Sequence, residues 1–273
     1  MFFQKKLSIK GNRGKKFSIN LLEKNGFFIL ENCFSIEDVK KLSDIRKLLI
    51  DESKKQKKII SQLTGYELGN LNIEKSFIHE QIWDLMMKSQ IIKKTFQSFN
   101  VNKIHEIRSF GGNINFPNSI PQAFHRDSSL EKKYLLIFIS LEKISSRNGS
   151  QEVISEYKLN GKNFIDMLIT RFNYGSNLVD MNPGDILFRY SSTWHRGTRN
   201  NSEYPRPIPL FSIDLNKEKS KKIQKTTKFK KKISFKGNYA PQGIFGKIYV
   251  FLACKFNRPF HIIIYFSKLF KSQ

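Results

Sequence analysis

Between residues 103 and 214 the sequence breaks into eight short, closely spaced apolar runs, and no feature restricts its folding more. The runs are Lys103–Phe110, Ala123–Asp127, Tyr134–Leu141, Gln151–Ser155, Leu178–Met181, Ile186–Tyr190, Thr193–Arg199 and Ile208–Asp214. Turn signals separate several of them: Gly111-Gly112, Asn148-Gly149 and Asn182-Pro183-Gly184-Asp185. Many short strands must bury their faces on one another, so the pattern predicts a barrel or jelly roll. No repeat of fixed period is visible.

The region before residue 100 reads differently. In GFFILENCFSIEDVKKL (26–42) a short strand, GFFIL, precedes a helix whose N-cap is Ser35. Glu37 and Asp38 stand in its first turn, where carboxylates favour the helix dipole. Val39, Leu42, Ile45 and Leu49 then recur at three- and four-residue spacing and mark the buried face. A second helical stretch is expected over Phe77–Phe99, with Ile82, Leu85, Met86, Ile91 and Phe96 inward. A short helical insertion is expected at Asn160–Phe172. The fold class is therefore mainly β with flanking helices.

Net charge needs to be placed before it is read. The chain carries a formal +25, which alone suggests a nucleic-acid or membrane partner. Residues 1–16 hold six basic and no acidic side chains, and 217–273 hold fifteen basic side chains against Glu218. The 200 residues between carry only five of the 25 charges. The chain thus divides into a basic segment 1–19, a central domain 20–215 with its β core over 103–215, and a basic, aromatic extension 216–273. No zinc-finger or RNA-binding signature accompanies the charge, so no specific nucleic acid is expected. The extension interleaves lysines with apolar runs at Ile248–Cys254 and Ile262–Phe266. Peripheral contact with an anionic membrane is one use for it; a solvated linker and a terminal element packed on the domain is the other. Cys33 and Cys254 lack pairing logic and read as reduced thiols of a cytoplasmic protein.

Five histidines occur, at 79, 105, 125, 195 and 261. His125 and Asp127 stand at i and i+2, on one face of a strand, where both can reach one ion. Alone, such a pair is also an ordinary surface pair. His195 follows at the end of another strand, in STWHRGT. Two histidines and one carboxylate form a facial triad that leaves positions open on a non-haem iron. Arg206, 11 residues after His195, offers a planar guanidinium suited to bidentate capture of a carboxylate. Arg126 and Arg189 read equally as contacts for an anionic substrate or as solvated surface cations. Trp194 is expected on the opposite strand face, packing. His105 reads as an ordinary strand residue, His79 as part of the helix, and His261 as part of the tail.

HRD (125–127), the NPGD turn (182–185), WHRGTRN (194–200) and Arg206 together resemble the phytanoyl-CoA dioxygenase family of iron(II)/2-oxoglutarate oxygenases. GFFILENCFSIEDVKKL is similar to that family's N-terminal strand and helix, and YLLIFISLEKISSRNGSQEVI (134–154) to its strand and turn. The resemblance spans about residues 20–215 and implies a double-stranded β-helix of the jelly-roll, cupin-like kind. It implies Fe(2+) held by His125, Asp127 and His195, with 2-oxoglutarate and O2 as co-substrates. Arg206 would pair with the distal carboxylate of 2-oxoglutarate, with Thr198 adding a hydroxyl contact and Gln122 lining the pocket. The family often carries its hydroxyl residue where Gly197 stands here. At Ser155-Glu156-Tyr157-Lys158 the sequence also departs from the family's Gly-Ser-His-Lys-like turn. The carboxylate of Asp127 separates a hydroxylase from the related halogenating enzymes. The expected function is hydroxylation of a small organic substrate. Two alternatives are a basic binding module on a non-catalytic barrel, and a metal barrel that does not use 2-oxoglutarate.

Overall fold

The computed structural model describes residues 13–55, 70–119, 121–122, 124–128, 134–156, 159, 164–215 and 228–237. In chain order its strands are β1 (Arg13–Gly14), β2 (Phe27–Leu30), β3 (Asn70–Ile73), β4 (Ser109–Asn115), β5 (Tyr134–Ile139), β6 (Gln151–Val153), β7 (Asn177–Val179), β8 (Ile186–Tyr190), β9 (His195–Gly197), β10 (Arg206–Asp214) and β11 (Phe235–Gly237). The helices are α1 (Ile19–Asn25), α2 (Ile36–Lys55), α3 (Phe77–Lys88), α4 (Gln90–Ser98) and α5 (Phe164–Tyr174). The strands form an eight-stranded sheet, β1-β2-β8-β5-β10-β4-β3-β11, and a three-stranded sheet, β7-β6-β9. Among the described residues no strand pair joins the two sheets.

Side-chain alternation assigns the two faces of the large sheet. Ile186 and Phe188 of β8, Leu135 and Ile137 of β5, and Phe211 of β10 pack with Leu42, Leu49, Ile82, Met86 and Phe96 from the helices. The opposite face presents Phe27, Ile29, Leu136, Phe138, Leu187 and Ile208, which meet Val153 and Val179 of the small sheet. Central strands covered on both faces explain why YLLIFI and ILFRY are nearly continuous apolar runs.

Local chemistry sets several boundaries. Ser35 caps α2 by accepting the Asp38 backbone N–H at 3.1 Å. Asp185, fully buried, accepts from the backbone N–H of Asn182 at 2.8 Å and of Asn32 at 3.0 Å. One carboxylate thus fixes the turn that opens β8 and the turn that closes β2.

Some sequence expectations are corrected. Gly111-Gly112 lies inside β4 instead of forming a turn. At Gly112 (φ 151°) a Cβ would come within 2.6 Å of the Ile208 carbonyl, so the glycines permit close approach of β4 to β10. The run expected from Lys103 starts as a strand only at Ser109, because Ile104–Glu106, including His105, turns as a 3-10 helix. Its Glu106 carboxylate accepts the backbone N–H groups of Asn102 and Lys103. The helical stretch 77–99 breaks at Ser89, whose ψ of 118° ends α3 and starts α4. The described part of 123–127 makes only an isolated bridge between His125 and His195.

The segment 228–237 adds β11 beside β3. Glu74 secures it, accepting from Lys230 (2.8 Å) and Ser234 (2.5 Å) and pairing with Lys236 (3.0 Å). These partners hold its carboxyl down at about 2. Cys33 is buried as a free thiol. Tyr157, Cys254, His261, residues 1–12 and most of the basic extension lie outside the described residues. No helix among the described residues is long and apolar enough to cross a membrane.

Candidate metal centre

Three backbone segments bring the triad together. His195 opens β9 opposite Val153 of β6. An antiparallel bridge then couples it to His125, with His125 N–H to His195 C=O at 2.9 Å and the reverse bond at 3.0 Å. Asp127 is placed two residues on, its N–H donating to the Ser191 carbonyl at 2.8 Å. The imidazole centroids lie 4.3 Å apart. His125 Nε2 is 3.6 Å from Asp127 Oδ1, and His195 Nε2 is 3.5 Å from Asp127 Oδ2. One ligand atom from each of the three residues lies within 4.8 Å of the others. Ligands bonded at about 2.1 Å to one ion sit roughly 3–4 Å apart, as the two carboxylate–imidazole separations do, so a small closing shift would let the three residues hold a single divalent metal.

The site is graded from dry to wet. The His195 side chain is buried, whereas those of Asp127 and His125 are 37% and 39% exposed. Burial and the neighbouring Arg189 guanidinium hold the His195 imidazole well below its ordinary value, hence neutral and able to ligate. Desolvation pushes the Asp127 carboxyl up, but the Arg189 guanidinium beside it outweighs that and holds it well below the carboxylate range.

Arg189 corrects a sequence expectation. Read as a surface or substrate-facing cation, it is 1% exposed and lies at the base of the triad. Its Nη2 donates to Asp127 Oδ2 at 2.9 Å, and its Nη1 stands 2.5 Å from His195 Nδ1. Its guanidinium carbon is 5.3 Å from the Phe138 ring centroid, and Nε has no hydrogen-bond partner among the described residues. Arg189 stands two residues after the interior-facing Leu187 and so shares its face, a signal that appears only once the pairing of β8 is known.

The remaining candidates have distinct environments. Arg206 begins β10 opposite Asn115 of β4 and is 5% exposed. Its only hydrogen bond to a described residue is a long one, Nε to the Asn148 carbonyl at 3.5 Å. Burial lowers its guanidinium to about 10, with Glu142 opposing at a distance. A buried cation with so little local compensation fits an anionic ligand. Thr198 instead spends its hydroxyl on the Ser150 carbonyl at 2.9 Å. Gln122 accepts the Gly197 N–H at 2.8 Å, and a Cβ at Gly197 would meet that same oxygen at 3.0 Å. Gln122 therefore fills the space that a side chain at 197 would enter.

The outward face of the small sheet is built separately. Trp194 packs there with Phe124, Ile154 and Met167, as its strand position predicts. Arg126 lies over the Trp194 ring, 4.9 Å from its centroid. Glu152, buried beside His195's strand partner, accepts from Arg196 Nε (2.6 Å), Arg171 Nε (3.1 Å) and Ser176 Oγ (2.5 Å). This knot ties β6 and β9 to α5.

No family model matches the chain, and no curated protein matches its sequence. Solved structures do match. AviO1 from Streptomyces viridochromogenes Tue57 aligns at TM-score 0.52 and 13% identity, over 71% of this chain and 91% of its own. HygX from Streptomyces hygroscopicus, with nickel and 2-oxoglutarate bound, aligns at 0.50 and 13%, over 71% and 84%. EvdMO1 aligns at 0.51 and 15%, over 70% of this chain and 47% of its own. The chain has their fold.

Proposed function

We propose that the chain is an iron(II)- and 2-oxoglutarate-dependent dioxygenase that hydroxylates a small organic substrate, in the manner of the phytanoyl-CoA dioxygenase group that its motifs resemble. The observation that carries this reading is the convergence of His125, Asp127 and His195 within ligand distance of one ion. The nickel and 2-oxoglutarate held by HygX, on the same fold, support it.

The protein's part is to bind, orient and exclude. His125 and His195 offer imidazole nitrogens and Asp127 a carboxylate from one side, which leaves the opposite side of an ion open. Arg206, buried and without a carboxylate partner among the described residues, would receive the distal carboxylate of 2-oxoglutarate. Leu136, Phe138, Leu187 and Ile208 form with Val153 and Val179 a buried apolar cluster between the sheets. Iron(II), when bound, would supply the oxidising chemistry that converts 2-oxoglutarate and O2 to succinate and CO2 and places one oxygen atom on substrate. Asp127 supplies a carboxylate at the motif position where the related halogenating enzymes lack one, which favours hydroxylation over halogenation.

Anaerobic addition of iron(II) and 2-oxoglutarate is expected to produce a weak visible charge-transfer band, absent in His195→Ala. No band in the wild type, or a band undiminished in His195→Ala, would overturn the reading. Substrate-dependent succinate release with a +16 mass product then tests hydroxylation.

A further inference from the structure

Arg189 gives the candidate metal centre a cation of its own. Asp127 is the triad's one carboxylate, and the guanidinium already donates to its Oδ2 at 2.9 Å. A divalent ion at the triad therefore meets a carboxylate whose charge is already shared, with a like charge close behind it.

A second conflict involves the proton on His195. Nδ1 faces the Thr193 carbonyl at 2.9 Å and Arg189 Nη1 at 2.5 Å. The carbonyl only accepts and the guanidinium only donates, so one imidazole tautomer cannot satisfy both. A proton on Nδ1 suits Thr193 and frees the Nε2 lone pair for a metal. A proton on Nε2 suits Arg189 and blocks ligation through that atom. Arg189 thus opposes a metal twice, by charge and by tautomer.

We propose that Arg189 is a built-in competitor of the metal ion, a positioning residue that makes metal and 2-oxoglutarate bind as a mutually dependent pair. The inference rests on the function proposed above. With Arg189 and Asp127 paired, a divalent ion brings two uncompensated positive charges into a site whose base is dry. The dianion 2-oxoglutarate offsets them in part, with one carboxylate toward the ion and the other toward Arg206. Each ligand therefore favours the other, and by linkage the two coupling factors are equal.

Nickel(II) serves as the probe because it needs no exclusion of air, and its affinity is read by competition with a chromogenic chelator. In the wild type, saturating 2-oxoglutarate is expected to tighten nickel binding about 100-fold. Arg189→Met and Arg189→Gln, both neutral, are expected to bind nickel about tenfold or more tightly than wild type without 2-oxoglutarate, and to show a coupling of about tenfold or less. Gln keeps a donor for Asp127, so the pair separates charge from simple positioning. Weaker or unchanged nickel binding in both variants, with coupling intact, would overturn the proposal. The wild-type tautomer is an independent check by long-range proton–nitrogen NMR. His195 should carry its proton on Nε2 in the metal-free protein and on Nδ1 with nickel bound; Nδ1–H in both states would also overturn it. His125→Ala is the control for the underlying reading. Nickel binding that ignores this substitution means that the triad is not the metal site, and the inference falls with it.

Discussion

The molecule holds two carboxylate–arginine clusters within a few residues of His195, and they are built in opposite ways. Glu152 is enclosed, and both of its oxygens are engaged by Arg171, Arg196 and Ser176. Asp127 is over a third exposed, and its one arginine is divided between it and a histidine, with Nε left over. The Glu152 knot faces away from the space between the sheets and joins strand to helix. The Asp127 group faces into it and leaves donor capacity unspent. Complete satisfaction is what a cluster needs to hold a fold. Incomplete satisfaction is what a site needs to accept a ligand.

Substitutions that break one cluster should spare the other's role. Glu152→Ala strands two arginines and should cost about 3–5 kcal/mol of stability, read by chemical denaturation. A loss under about 1 kcal/mol would erase the contrast. Arg206→Ala should leave the fold nearly unchanged but weaken 2-oxoglutarate binding by about 2–5 kcal/mol, measured by titration of the metal-loaded protein. An unaltered 2-oxoglutarate affinity would favour a metal barrel that does not use it.

The acid limb provides a finer test. Burial pushes the Glu152 carboxyl up, but Arg196, Ser176 and Arg171 prevail and hold it below its ordinary value of 4.5. Its stabilisation is therefore full above that value and is lost as pH falls through the depressed one. Melting temperatures from pH 7 to pH 3 should show this loss in the wild type and a shallower one in Glu152→Gln. Smallest of all, Glu74→Ala removes two ion pairs with lysines more than half exposed, together with the Ser234 hydrogen bond. It should cost about 0–1 kcal/mol, the range of solvated pairs.

Much of this arrangement was legible because strand alternation and turn chemistry are local. Ile186–Tyr190 is the strand the sequence predicts, and the Ser35 cap and the inward face of α2 follow from spacing alone. The His-Asp-His grouping was legible as motif and order. Arg189 was not, because an arginine in a strand is normally read as a surface residue, and only pairing with β5 and β2 shows that both faces of β8 are covered. The glycines of β4 misled for a related reason. Gly111-Gly112 has the composition of a turn, while its need for close approach to Ile208 is a tertiary property. Strands β1 (Arg-Gly), β3 (Asn-Leu-Asn-Ile) and β11 (Phe-Lys-Gly) lack an apolar run that would stand out from the surrounding sequence.

Among the described residues, both outer positions of the large sheet are filled from chain segments rich in lysine and arginine: β1 by Arg13-Gly14, and β11 by Phe235-Lys236-Gly237. An outermost strand is a template on which another copy can polymerise, and positive charge there discourages such pairing. Lys15 and Lys16 follow β1, and Lys230, Lys231 and Lys232 precede β11. Positive charge beside both edges disfavours addition of a further strand, and removal of residues 228–237 is expected to expose the flank of β3 to self-association.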